Sequence, residues 1–168
     1  TAALIAVFGM LSYSNSLTGG FVMDDGLVLT EQNLSKYTQS LRLYTSRNMP
    51  RSLTNLTFAL NYKLHGFDTY GFHLVNLLIH LANSWLVTVF CKMVLDRVSN
   101  LKPNIKHLAS LTAGLIFTVH PIQTMAVSYI TQRYVLMATF FYLLAVLVFW
   151  KVLEKRSIKF RFSGVVLV

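Results

Sequence analysis

Apolar and polar residues alternate in long blocks along this chain, and the apolar blocks predict membrane-spanning helices. A helix needs about 20 mainly apolar residues to cross a bilayer. We predict spans over 1–12, 72–95, 108–120 and 134–150, and the start of a fifth over 162–168. The chain begins and ends inside apolar runs, so we expect further sequence at both ends. The predicted fold is an all-α polytopic membrane protein.

The region 13–71, between the first two spans, is predicted to be an external loop. Within it, leucines recur at helical spacing at Leu53, Leu56, Leu60 and Leu64. This period predicts an amphipathic helix over 51–65. Such a helix either lies on the membrane surface or packs under the loop.

The second span carries polar residues on one side only. At 100° per residue they fall within an arc of roughly 100°, and they are His73, Asn76, His80, Asn83 and Ser84. Unsatisfied polar groups are costly in hydrocarbon. We therefore expect this polar stripe to face protein or a cavity, with His73, Asn76 and His80 as cavity-lining residues.

Composition agrees with a membrane protein. Apolar residues make up 54% of the 168 residues and charged residues 12%, and the mean hydropathy is +0.53. The formal charge of +9 is spread between apolar runs, which is the membrane pattern and not the basic face of a nucleic-acid-binding domain. We expect lipid as a partner and no nucleic acid.

Basic residues crowd two of the predicted connections and indicate their side of the membrane. They are Lys92, Arg97, Lys102 and Lys106 around the first, and Lys151, Lys155, Arg156, Lys159 and Arg161 in the second. Positively charged loops stay in the cytoplasm. The loop 13–71 and the turn after Pro121 are then predicted to face the periplasm or the lumen of the endoplasmic reticulum.

Asp24 and Asp25 are the most informative polar residues of the external loop. They are two of only six acidic residues and follow the first apolar run closely. Adjacent carboxylates near lipid suit a general base, because burial and mutual repulsion disfavour ionisation of both. The alternative is a turn pair, since Asp25-Gly26 is a common turn dipeptide.

Three cations near the predicted outer surface are candidates for holding a phosphate: Arg133, Arg51 and His120. An arginine binds phosphate by paired hydrogen bonds, although an interfacial anchor is the simpler interpretation of both arginines. No metal site is predicted. His73 and His80 lack nearby carboxylates in sequence, and Cys91 has no partner.

Several segments together resemble a known family. They are YSN at 13–15, FVMDD at 21–25, RSLTNLTF at 51–58, YGFHLVNLLIH at 70–80, FTVHPIQT at 117–124 and QR at 132–133. In this order and spacing they resemble the membrane region of the transmembrane and tetratricopeptide-repeat proteins, which are similar to protein O-mannosyltransferases and to type C glycosyltransferases.

The resemblance implies a type C glycosyltransferase-like helical bundle, with the catalytic acid in the first external loop and tetratricopeptide repeats after the membrane region. It implies transfer of a sugar, mannose above all, from polyprenyl or dolichyl phosphate to a Ser/Thr hydroxyl of an acceptor protein, with inversion. Asp24 or Asp25 would be the base, and Arg133, with Arg51 or His120, would stabilise the lipid phosphate. No cofactor is needed, because cations take the part of a metal.

Two positions depart from the family pattern, which has Glu where Met125 stands and Pro where Ser52 stands. The loss of a carboxylate at Met125 favours an alternative in which the membrane region only anchors a repeat array that binds partners. A second alternative is a transporter of a lipid or an ion, with the polar stripe lining its path.

Overall fold

The computed structural model describes residues 1–39 and 51–164, and every regular element in this part of the chain is helical. The prediction of an all-α membrane protein is confirmed. In chain order the α-helices are α1 (Ala2–Tyr13), α2 (Asp25–Val28), α3 (Glu31–Gln39), α4 (Ser52–His65), α5 (Thr69–Val98), α6 (Pro103–Val119), α7 (Thr124–Ser128) and α8 (Arg133–Gly164). Short 3₁₀ turns occupy Ser14–Thr18, Pro121–Gln123 and Ile130–Gln132.

Two of the described helical segments, Thr69–Val98 and Ile130–Glu154, are long and apolar enough to cross a membrane. α6 and the segment Pro121–Ser128 meet at an angle of 47° and together form a third candidate span. The bend lies where Pro121 follows His120, because proline disfavours helical backbone at the residue before it. Of the predicted start of a fifth span, 162–164 belong to α8 and 165–168 lie outside the described residues.

α5 is the central helix of the described bundle, and α1, α6, α7 and α8 all pack against it. α6 approaches it closely at Gly114, where an added β-carbon would collide with the Thr88 hydroxyl. Small residues at such crossings are typical of membrane bundles.

The polar stripe of α5 faces the interior of the bundle. His73 is 2% exposed, and Asn76, His80, Asn83 and Ser84 are completely buried. The predicted orientation of the stripe is confirmed. Each of these side chains lies within hydrogen-bond distance of a backbone carbonyl group, and for Asn76 and His80 that group lies at a break between helices.

Three of the four leucines of α4 are largely exposed. Leu53, Leu60 and Leu64 are between 49% and 74% exposed, whereas the buried face of α4 includes Asn55, Phe58 and Asn61. The leucine period is therefore compatible with a surface lying on lipid, and the packed face is partly polar. Leu53, Leu60 and Leu64 therefore do not pack under the described part of the loop, whereas Leu56 is half-buried.

Ion pairs gather at the end of the bundle far from Asp24. Lys92 and Lys106 both approach Asp96, at 2.6 and 3.7 Å, and Arg97 lies 3.8 Å from Glu154. α5 has 30 residues, which corresponds to a length of roughly 45 Å. The cluster of charges and the Asp24 loop are thus at opposite ends of this helix.

Candidate active site

The adjacent carboxylates Asp24 and Asp25 have different environments. Asp25 is completely buried. Its Oδ2 accepts a hydrogen bond from the Val22 N–H at 3.1 Å, and its Oδ1 accepts one from the Thr131 N–H at 2.9 Å. Asp25 therefore ties the segment between α1 and α2 to the turn before α8, and each of its oxygens accepts a hydrogen bond.

Asp24 is exposed, and its position is fixed through its backbone. Its N–H donates to the Tyr129 hydroxyl at 3.0 Å, and its carbonyl accepts from Leu27 and Val28 at the start of α2. Met23, the residue before it, has a positive φ of 49°. A non-glycine residue in this region is strained, and such strain is often found beside functional groups. Asp24 thus presents a free carboxylate on an anchored backbone.

Arg133 is completely buried at the start of α8. Its guanidinium makes four hydrogen bonds to neutral acceptors: Asn76 Oδ1 (2.7 Å), Asn61 Oδ1 (2.9 Å), Thr57 Oγ1 (3.2 Å) and the Phe72 carbonyl (2.9 Å). It also lies 4.4 Å from the centroid of the Phe58 ring. Arg133 thereby joins α4, α5 and α8, and four of the five N–H donors of an arginine are occupied within the protein.

Asn76 connects Arg133 with the irregular segment before α8. Its Nδ2 donates towards the carbonyl oxygens of Val127, Tyr129 and Ile130, at 3.4, 3.3 and 3.1 Å. Backbone carbonyl groups outside regular helix have no intrahelical donor, and when they are buried they need another one. Asn76 supplies it.

His80 has the same role at the end of α6. Its Nε2 lies 3.0 Å from the carbonyl oxygen of Thr118, close to the point where Pro121 ends the helical hydrogen bonding. Asn83 likewise donates to the Leu136 carbonyl at 2.9 Å. Asn76 and His80, which the sequence assigned to a cavity, thus bond to backbone, and the described cavities are lined by neither.

A cavity of about 270 Å³ adjoins the Asp24 loop, and His73 is one of its walls. The other walls include Gly19, Met23, Met125, Ser128 and Tyr129. His73 Nε2 lies 3.2 Å from the Gly19 carbonyl oxygen, which fixes the ring. Met23, which precedes Asp24, and Tyr129, whose hydroxyl accepts from the Asp24 N–H, both line this cavity.

Arg51 and His120 differ from Arg133 in being exposed. Arg51 has a positive φ of 68°, and its guanidinium carbon lies 4.6 Å from the centroid of the Tyr134 ring. His120 Nδ1 accepts from the Ile122 N–H at 3.2 Å and so stabilises the turn after the break. In the described residues no hydrogen bond joins Arg51, His120 or Arg133 to one another.

Several residues that build this region were missed from the sequence. Tyr129 and Thr131 fix the acidic pair, and Thr57, Phe58 and Asn61 surround Arg133. Thr57 and Phe58 belong to the segment RSLTNLTF, and neither of them was assigned a role beside Arg133 from the sequence. Within 1–39 and 51–164, no group of three or more His, Cys, Asp or Glu residues is arranged to hold a metal ion.

Comparison with known proteins identifies the family. The chain is 33% identical over 161 residues to protein O-mannosyl-transferase tmtc2 of Xenopus laevis, with 88% of this chain and 18% of that protein aligned. It is 34% identical over 148 residues to protein O-mannosyl-transferase TMTC3 of Homo sapiens, covering 80% and 15% of the two chains. The chain belongs to the TMTC family. The resemblance inferred from the motifs is confirmed.

A third relative aligns with most of this chain. Human protein O-mannosyl-transferase TMTC4 is 32% identical over 172 residues, covering 92% of this chain and 23% of that protein. The chain spans about a fifth of the length of the curated relatives it matches. No family model and no solved structure matches it. Membership of this family and the apolar helices identify the chain as part of a membrane protein.

Proposed function

We propose that this chain is part of a glycosyltransferase that moves a sugar from a lipid phosphate to a Ser/Thr hydroxyl of a protein. The observation that carries the proposal is the exposed carboxylate of Asp24 on an anchored backbone, beside a cavity. The relatives are named protein O-mannosyl-transferases, which supports mannose as the sugar and a protein as the acceptor.

Asp24 is the better candidate for the base of the two carboxylates. A base must reach the proton that it takes, and it needs a free oxygen to accept it. Asp25 is buried with both oxygens bonded to backbone N–H groups, whereas Asp24 is exposed. Asp25 positions the loop, and Asp24 accepts the proton of the acceptor hydroxyl as its oxygen attacks the anomeric carbon.

The chemistry follows from this attack. The new bond joins the acceptor oxygen to the anomeric carbon, and the bond from that carbon to the lipid phosphate breaks on the opposite face. The configuration at the anomeric carbon is therefore inverted. The proton of the acceptor hydroxyl goes to Asp24, and the electron pair of the broken bond leaves with the phosphate. A guanidinium stabilises the negative charge that develops on the phosphate. Arg51 is exposed and is the candidate for this role.

The active surface is proposed to face the periplasm or the lumen. The cytoplasmic end is the one with Lys92, Arg97 and Lys106, since positive charges remain on that side. The donor is a polyprenyl or dolichyl phosphate-sugar, because such a lipid presents its sugar at the membrane surface.

A non-catalytic anchor for a repeat array is the second candidate, and Met125 favours it. Met125 is 62% exposed and lines the cavity beside the Asp24 loop, where the family resemblance implies a glutamate. The transporter alternative has less support. Asn76, His80 and Asn83 donate to backbone carbonyl groups of neighbouring segments, so these polar groups are used within the protein and do not line a path.

The proposal is tested with the full-length protein in lipid nanodiscs. Dolichyl phosphate mannose and a Ser/Thr-rich peptide are supplied, and the product is analysed by mass spectrometry and NMR. A mannosylated hydroxyl with the inverted anomeric configuration is expected. Absence of transfer with polyprenyl and dolichyl donors, together with retained partner binding, would establish the anchor instead.

A further inference from the structure

A small pocket lies between α5 and α8 at the end of the bundle that carries the ion pairs. It has a volume of about 180 Å³, and its walls are Met93, Asp96 and Arg97 of α5 with Trp150 and Glu154 of α8. Three of these five residues are charged, and both signs are present. The pocket therefore suits a small ligand that is itself charged.

The pocket is formed by the last turns of two candidate spans. Arg97 is the last but one residue of α5, and Glu154 ends the apolar segment Ile130–Glu154. α5 is roughly 45 Å long, and a bilayer with its headgroup regions is about 40–45 Å thick. The end of α5 therefore reaches the headgroups, where tryptophans such as Trp150 are enriched. The ligand within reach is a lipid headgroup.

The charges of the pocket walls are compensated to different degrees. Asp96 is paired with Lys92 and Lys106, at 2.6 and 3.7 Å, and neither lysine lines the pocket. Arg97 Nη1 lies 3.8 Å from Glu154 Oε1, which is longer than a hydrogen bond. In the part of the chain that the structure describes, Arg97 and Glu154 have no other ion pair and no hydrogen bond from their side chains. Both groups thus keep their hydrogen-bonding capacity, side by side.

A ligand of a single charge would be repelled by one of these two groups. A ligand with both charges satisfies both, because a phosphate accepts paired hydrogen bonds from Arg97 and an ammonium donates to the carboxylate of Glu154. Phosphoethanolamine carries these two charges on a short link. Phosphocholine has no N–H to donate, and its quaternary ammonium is usually held by a cage of aromatic rings. Among the described residues, Trp150 is the one aromatic wall of this pocket.

We propose that the pocket binds the headgroup of phosphatidylethanolamine, with its phosphate on Arg97 and its ammonium on Glu154. Met93 and Trp150 then contact the carbon atoms of the headgroup. The bound lipid joins the ends of α5 and α8, because each helix supplies one of the two charged partners. This inference does not depend on the proposed transferase function, since it concerns the end of the bundle opposite Asp24.

The test compares three phospholipids with identical acyl chains. Native mass spectrometry of the full-length protein in detergent measures the binding of phosphatidylethanolamine, phosphatidylcholine and phosphatidylglycerol. Phosphatidylethanolamine should bind on the order of 10-fold more tightly than the other two, the value of one hydrogen bond between charged groups. Equal binding of all three lipids, or a preference for phosphatidylglycerol, would overturn the proposal.

Substitutions of the charged walls locate the site. Glu154→Gln should lower the affinity for phosphatidylethanolamine about tenfold without lowering that for phosphatidylglycerol, whereas Arg97→Gln should lower both. Lys102→Gln is the matched control, because Lys102 is an exposed cation near the same end that does not line the pocket. It should keep the wild-type preference. Unchanged preference in both Glu154→Gln and Arg97→Gln would overturn the site.

A further variant separates binding from the contact between the helices. Met93→Trp fills the pocket and keeps Arg97 and Glu154, so weaker binding in this variant cannot result from a lost ion pair. We expect it to lose the preference for phosphatidylethanolamine at wild-type thermal stability. A retained preference would place the lipid elsewhere.

A soluble competitor decides whether the ligand is a lipid. Glycerophosphoethanolamine carries the same headgroup charges without acyl chains. Because it cannot insert beside the two spans, it should not displace phosphatidylethanolamine at equal concentration. Displacement at equal concentration would indicate a soluble ligand and overturn the assignment of a lipid.

Discussion

Asp25 Oδ1 accepts a hydrogen bond from the Thr131 backbone N–H at 2.9 Å, across 106 positions of the sequence. Asp25→Asn places an amide where two N–H groups now point, so one of them loses its acceptor. We expect a loss of about 1–3 kcal/mol in the free energy of unfolding, measured by denaturation in detergent. Asp24→Asn is the matched control and should leave stability unchanged, because Asp24 is exposed. Equal stability of both variants would contradict the anchoring role.

Asn76 is predicted to be essential for the packing around Arg133. Asn76→Leu removes the acceptor of the Arg133 Nε–H and the donor for the Ile130 carbonyl, leaving both groups buried and unpaired. We expect a loss of about 1–3 kcal/mol for each group left unpaired, seen as reduced yield and thermal stability. Leu78 belongs to the same helix and is 51% exposed, so Leu78→Ala should reduce the stability far less. A stable Asn76→Leu protein would contradict the arrangement.

The periodicity of the sequence predicted which face of α5 is buried, because only one side of that helix is polar. It did not predict which face of α4 packs against protein. Leucines at helical spacing form an apolar face whether the neighbour is lipid or protein, so the buried Asn55 and Asn61 were overlooked.

The partners of single side chains depended on contacts far apart in sequence. Asp24 and Asp25 are neighbours in sequence, and only the fold shows that Asp24 is exposed and Asp25 is buried. Arg133 was predicted to be a phosphate ligand because an arginine can bind phosphate by paired hydrogen bonds and because the family resemblance implied that role. Its acceptors Thr57 and Asn61 lie more than 70 positions away, and no local pattern indicates them.

The orientation of the bundle is tested by cysteine labelling. In a Cys91→Ala background, single cysteines replace Ser14 and Asn100, which are both exposed. The basic residues near Asn100 predict that it is cytoplasmic. An impermeant maleimide should therefore label the two positions from opposite sides of the membrane. Labelling from the same side would refute the topology.

Met125 allows the second carboxylate of the family to be restored. Met125→Glu places an acceptor in the cavity beside the Asp24 loop, where it can bind a substrate hydroxyl. We expect kcat/KM to rise about tenfold, the value of one charge-assisted hydrogen bond. Met125→Gln, which is similar in size but uncharged, should give a smaller gain. Identical rates for wild type and both variants would show that this position has no part in the reaction.

The most direct test is the rate of mannosyl transfer by Asp24→Asn in the full-length protein, measured at saturating donor with a Ser/Thr peptide. The substitution keeps the size of the side chain and removes its ability to accept a proton. A positioned base contributes about 10²- to 10⁴-fold in rate, so kcat should fall by this factor while thermal stability and dolichyl phosphate binding remain those of wild type. A wild-type rate in Asp24→Asn would contradict the assignment of Asp24 as the base.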